Sequence, residues 1–286
     1  MRILPIEDAA SPSATPGAVF TASIGTKQIV PQGKFLDSLV FGLKGAVATA
    51  AVVIETFVGL LSEYALRVGD KTRLQLAFDE LIALSAWFYN KMPRLWENTD
   101  ATGNDFIFDV RVPVHESISA ERPLYHSATR TAQTNIATET LLIAGKWTEA
   151  VLDRKPISAI RIPYTTAAAA GYTMMGITLP PIGKLIGLIV KQVAEFADGD
   201  IDLSVQRVKI YEDGEVSCEL NVAGGSGVGP FITDGTLSPL TDLLKDFHAF
   251  DFRDEPIDLK AKKVELAIET QDVSDAVVII PVIELE

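Results

Sequence analysis

The sequence predicts an all-β protein with a few short helices, built from two similar domains in tandem. Three observations carry this. Apolar residues recur mostly with period two, helical periodicity is confined to two short segments, and one order of features occurs twice along the chain. A length of 286 residues suits two domains of about 140 residues each. Hydrophobic residues make up 48% and charged residues 22%, enough to bury a core without disulfides or metals.

Residues 1–19 read as an N-terminal arm, because Ala9, Ala10, Ser11, Pro12, Ser13, Ala14, Thr15, Pro16 and Gly17 offer little to bury. The most apolar stretch, Phe35 to Leu61, is interrupted by Asp37, Lys44 and Glu55. It reads as two buried strands and their connection, not as a membrane span. Tyr64, Leu66 and Val68 lead through Gly69-Asp70 into Leu74 and Leu76, a hairpin. Asp79 is placed to cap a helix reaching about Met92, with Leu81, Leu84 and Phe88 on one face and Pro93 as its stop. Phe106, Phe108, Val110, Val112 and Val114 then alternate as a half-buried strand does, and Pro113 points to an edge or strand-end position. Glu139 to Ile143 is a further strand.

In the second half, Val208 and Ile210 lead through Asp213-Gly214 into Val216 and Leu220, a second hairpin. Ser238 caps a helix with Pro239 at its first position, and Leu240, Leu243, Leu244 and Phe247 share one face. Val264, Leu266 and Ile268 alternate, and Val277 to Ile280 is continuously apolar, as in a strand buried on both faces. Isolated helices among so many strands exclude a βαβ sheet, which needs a helix after nearly every strand.

The repeat is clearest at Pro31, Gly33 and Lys34, matched without a gap by Pro181, Gly183 and Lys184, 150 residues later. Apolar strands follow both triplets, then an Asp-Gly or Gly-Asp hairpin, then a capped helix, then strands again: Glu139 to Ile143 in one half and Val264 to Ile268 in the other. The expected division is an arm at 1–19, a first domain at 20–155 and a second at 156–286.

Chemistry is excluded motif by motif. His115, His126 and His248 are scattered and show no metal-binding spacing, and Cys218 stands alone. Gly33-Lys34, Gly145-Lys146 and Gly183-Lys184 lack the Ser or Thr and the upstream Gly of a phosphate loop. The glycine-rich stretch from Gly224 to Pro230 leads into Phe231-Ile232-Thr233 and not into a helix. Asp198-Gly199-Asp200-Ile201-Asp202 opens like a calcium loop, but Leu203 and Lys209 stand where Gly and Glu are needed. No catalytic, cofactor-binding or metal residues are assigned, and no cofactor is expected. The net charge of −13 and the absence of a Lys or Arg run disfavour direct nucleic-acid binding. The densest basic cluster, Lys260, Lys262 and Lys263, falls in a strand-like segment.

The paired Pro-x-Gly-Lys lead-ins, the long first strand, the two hairpins and the closing Phe247-His248-Ala249-Phe250-Asp251-Phe252 with two terminal strands form one pattern. It resembles the double jelly-roll major capsid proteins of icosahedral viruses, over about Thr21 to Glu286. The resemblance implies two tandem eight-stranded antiparallel jelly-roll barrels with no enzymatic activity. It implies homotrimers of pseudo-hexagonal outline that tile a virion shell, made in the host cytoplasm. The implied partners are the chain itself, neighbouring capsomers and minor capsid or vertex proteins. Many such viruses also keep a membrane inside the shell. An arm whose only basic residue is Arg2 accords with a shell that does not touch its genome. The alternative is a two-domain β-sandwich binding module for carbohydrate or another surface, although Trp87, Trp96 and Trp147 form no evident platform.

Overall fold

The computed structural model describes every residue except 1, 13–22, 48–55, 57, 91–93, 98–104, 166–175, 192–193, 198–199, 204, 222–243, 245–246 and 271–275. The chain divides into two compact units, the first built on Met1–Ile157 and the second on Ser158–Leu237 with Leu244–Glu286.

In the first unit the elements are β1 (Arg2–Pro12), β2 (Ile24–Ile29), β3 (Phe35–Val47), β4 (Leu61–Val68), β5 (Lys71–Leu76), α1 (Phe78–Tyr89), β6 (Arg94–Glu97), β7 (Asp105–Ser117), β8 (Leu124–Arg130) and β9 (Ile136–Thr148). One sheet has the order β1-β9-β3-β7-β6, and four strands follow one another as β2-β8-β4-β5. These pairings are antiparallel. Phe41 of β3 meets Tyr64 of β4 edge to face at 4.7 Å between ring centroids, so the two sheets share a core. Val110, Val112 and Val114 of β7 and Leu141 and Ile143 of β9 are buried in the same unit.

After β10 (Ile157–Ile160), at the division, come β11 (Ile162–Thr165), β12 (Ile177–Thr178), β13 (Lys184–Lys191), β14 (Ala194–Ala197), β15 (Asp200–Leu203), β16 (Val205–Glu212), β17 (Glu215–Asn221), β18 (Phe247–Asp251), β19 (Ile257–Asp258), β20 (Val264–Thr270) and β21 (Ala276–Glu284). Here β21 pairs with β11 and β13, and β13 with β18. The other sheet is β12-β20-β16-β17. Leu188, Val190 and Ile279 from one sheet pack with Val208, Ile210, Leu266 and Ile268 from the other. β21 is buried along most of its length, which explains its unbroken apolar run.

Set aside β6, β10, β14, β15 and β19, and eight strands remain in each unit. In both, one sheet joins the first, eighth, third and sixth strands, and the other joins the second, seventh, fourth and fifth. That order is a jelly roll, two Greek keys wrapped into a sandwich. The fold is therefore two jelly rolls in tandem, mostly β, as the sequence predicts.

Several expectations need correction. Arg2–Pro12 is not a free arm. It is the first strand of the first jelly roll, paired with β9 from Arg2↔Trp147 to Pro12↔Thr138. The helix near Asp79 is capped two residues earlier than its sequence suggests. Ala77 is the N-cap, and the Glu80 carboxylate accepts the Ala77 N–H at 2.9 Å. The helix stops at Asn90, whose φ of 48° is the left-handed conformation that closes many helices. Phe247 begins β18 instead of ending a helix. The Ser238-Pro239 helix start and the Gly224 to Pro230 stretch lie outside the described residues. Lys260, Lys262 and Lys263 sit in a turn before β20, where Glu286, Glu212 and Glu265 respectively neutralise them. No helix among the described residues is long and apolar enough to cross a membrane.

Candidate functional site

The two Pro-x-Gly-Lys triplets stand at the same topological place, at the entry to the third strand of each jelly roll. There the chain turns in against the end of that unit's eighth strand. A Cβ on Gly33 would lie 2.9 Å from the Thr148 carbonyl oxygen, and the Lys34 N–H donates to that oxygen at 3.0 Å. Phe35 then pairs with Thr148. On Gly183 a Cβ would lie 2.1 Å from the Glu284 carbonyl oxygen, and φ is +67°. Only glycine fits such a position without displacing backbone. Lys184 pairs with Glu284, and the Gly183 carbonyl accepts the Leu259 N–H at 3.1 Å. Both third strands bulge within a few residues, between Leu36 and Ser38 in β3 and between Leu185 and Gly187 in β13. Pro31 and Pro181 lie exposed on the approach to each turn.

The hairpins follow the same logic. Asp213 and Gly214 both take positive φ, 52° and 88°, as the tight turn between β16 and β17 demands. β14 and β15 pair antiparallel from Ala194↔Leu203 to Ala197↔Asp200, so Asp200, Ile201 and Asp202 of the calcium-like stretch lie in a strand, while Asp198 and Gly199 lie outside the described residues. Pro113 lies in β7 beyond the four residues that pair with β6, where its missing N–H leaves no ladder partner unsatisfied on that side.

Among the described residues the histidines and the cysteine are dispersed over separate strands. His115, His126 and His248 lie on β7, β8 and β18. Burial pushes all three imidazoles down, His248 to about 4. Burial, with Glu219 beside it, pushes the Cys218 thiol up, away from the reactive thiolate. Among the described residues no group of three or more His, Cys, Asp or Glu could hold a metal ion. A depression of about 660 Å³ in the second unit is lined by Glu212, Asp251, Asp258 and Lys262 among others. Its charges are mostly spent. Lys262 pairs with Glu212, Arg253 pairs with Asp251, and Asp258 accepts the Lys260 and Ala261 N–H groups.

The strongest electrostatics are buried ties between strands of the first unit. Arg130 of β8 pairs with Glu139 of β9, both almost fully buried. Arg73 of β5 meets Glu116 of β7 at 2.5 Å. Asp37, on the β3 bulge, is fully buried and is approached by Arg111 at 2.7 Å, Arg154 at 2.6 Å and Lys146 at 3.6 Å. Burial alone would raise its pKa. The Arg111 hydrogen bond and the charges of Lys146, Arg111 and Arg154 outweigh that and hold the carboxyl below its usual range. None of these pairings was legible from spacing, because each joins residues from different segments of the fold.

No protein-family model and no curated protein matches the sequence. Solved structures do. The STIV major capsid protein aligns with a TM-score of 0.65 at 13% identity, covering 98% of this chain and 97% of that one. The major capsid protein of bacteriophage PM2 aligns at 0.60 and 10% identity, covering 100% and 97%. A capsid structure of the virus PBCV-1 aligns at 0.55 and 11% identity, covering 98% and 92%. Identity this low speaks to architecture, and the architecture agrees with the strand order found in each unit. The chain has the double jelly-roll fold of these major capsid proteins.

Proposed function

We propose that the chain is a structural coat protein whose copies form homotrimers of pseudo-hexagonal outline and tile an icosahedral virion shell. The observation that carries this reading is the double jelly roll itself, spanning nearly the whole chain and nearly the whole of the capsid proteins it resembles. The scattered, charge-suppressed histidines accord with a protein that is not an enzyme. The paired triplets Pro31, Gly33, Lys34 and Pro181, Gly183, Lys184 serve as equivalent hinges of an internal duplication, with domains divided near residue 155. Its partners are other copies of itself, neighbouring capsomers and minor capsid proteins, with a membrane beneath the shell as a further neighbour. Nucleic acid is not a direct partner, in keeping with the net charge of −13.

A carbohydrate-binding module would be expected to display aromatic rings. The large hydrophobics exposed among the described residues are Ile3, Val30, Val151, Ile182 and Val216, none of them aromatic. Electron microscopy of the source material, with mass spectrometry of any purified particles, tests the coat reading. It predicts icosahedral particles in which this chain is the most abundant protein. Source material in which the chain is abundant but never sediments with particles would overturn it.

A further inference from the structure

We propose that the first unit carries a phosphate-binding site formed by Arg111, Lys146 and Arg154 around the buried carboxylate of Asp37. The bulge between Leu36 and Ser38 takes Asp37 out of the regular ladder, where its carboxylate gathers cations from β7, from β9 and from the segment after β9. Three full positive charges meet one negative charge, so the cluster keeps an excess of two. Among the described residues, Asp37 is the carboxylate that pairs with Arg111, Lys146 and Arg154. Glu116, further along β7, is taken up by Arg73 and Arg122. His115 and Tyr89 border the cluster, and burial favours the neutral form of each.

The three cations are held but not used up. Arg111 spends its Nε on the Ser38 hydroxyl and one terminal nitrogen on Asp37, and its plane lies 4.5 Å from the Tyr89 ring centre. Arg154 spends one terminal nitrogen on Asp37. Lys146 stands at 3.6 Å, an ion pair and not a hydrogen bond. Their side chains are 36%, 51% and 23% exposed respectively, so an anion can reach the remaining donors from solvent. Asp37 preorganises the cluster by holding like charges together before the anion arrives.

Charge matching selects the ligand class. A phosphate group carries about −1.5 to −2 at pH 7. It cancels the excess of two, whereas a lone carboxylate cancels half. Guanidinium groups also match phosphate oxygens in geometry. Free phosphate and a phosphomonoester present the same chemistry.

Calorimetric titration of the full chain with inorganic phosphate, glycerol 3-phosphate and acetate, at fixed ionic strength, tests this. Saturable one-to-one phosphate binding in the millimolar range or tighter is expected. Arg154→Gln and Lys146→Gln should each weaken it about tenfold or more. Both residues are solvent-accessible, and thermal melts without phosphate check that the variants fold. If glycerol 3-phosphate binds as well as phosphate, the site accepts a monoester; if it binds about tenfold worse, free phosphate is the ligand. Absence of saturable phosphate binding, equal binding by both folded variants, or acetate binding as tight as phosphate would each overturn the proposal.

Discussion

Gly183 is the position where one added methyl group should do the most damage. Its positive φ and the 2.1 Å approach to the Glu284 carbonyl oxygen leave a side chain no room, and the obstacle is backbone. We expect Gly183→Ala to destabilise the protein by roughly 2–4 kcal/mol. Gly33→Ala should cost less, because its contact is 2.9 Å. Gly25→Ala, with nothing within 4 Å, should stay within about 0.5 kcal/mol. Urea unfolding of the three variants checks the ranking, and a Gly183→Ala midpoint equal to that of Gly25→Ala would refute it. The histidines make a second residue-level prediction. Burial holds His248 at about 4, below the ordinary value of about 6.5 expected in the unfolded chain. Between those values the unfolded state binds more protons, so stability is full above about pH 6.5 and is lost as pH falls toward 4. His115 and His126 shift in the same direction. The thermal midpoint should therefore drop between pH 7 and pH 4, and an NMR titration of His248 should place its midpoint near 4. A midpoint near 6.5 would contradict the burial.

At the scale of elements, β1 separates two accounts of the N-terminus. A free arm could be removed without consequence. A first strand cannot, because deleting residues 2–12 would strip β9 of ten ladder partners and expose its edge. We expect the truncated chain to melt well below the full chain or to aggregate, as scanning calorimetry and soluble yield would show. An unchanged melting temperature would restore the arm. The reason β1 was hidden is physical. Its partner lies more than 120 residues away, and Ala-Ala-Ser-Pro has no alternating apolar face to announce a strand. By contrast, the two hairpins were legible because Gly69, Asp213 and Gly214 meet a purely local demand for positive φ. β7 and β21 were legible from the alternation and the unbroken run of their apolar residues. The repeat was legible at its lead-ins and hairpins but misaligned at its end. Glu139 to Ile143 belongs to the eighth strand of its unit, whereas Val264 to Ile268 belongs to the seventh, and β21 is the counterpart of β9. Strand pairing is non-local, so two apolar strands look alike until the sheet is known. The Asp37 cluster was invisible for the same reason, since its members are scattered from position 37 to position 154.

At the scale of the whole molecule, one chain with two like jelly rolls can supply two near-equivalent building blocks. Three chains around a threefold axis supply six, matching a lattice in which each capsomer has six neighbours. Contacts in such a ring are heterologous and recur until the ring closes. Obligate interfaces of this kind are large and more apolar than the average surface. A net charge of −13 would keep such assemblies apart in solution. Light scattering on the purified chain after size-exclusion chromatography tests the central claim most directly. The coat account predicts a particle of about three times the 30.9 kDa chain mass. A stable monomer of 30.9 kDa at micromolar concentration, unchanged on raising the concentration, would contradict it.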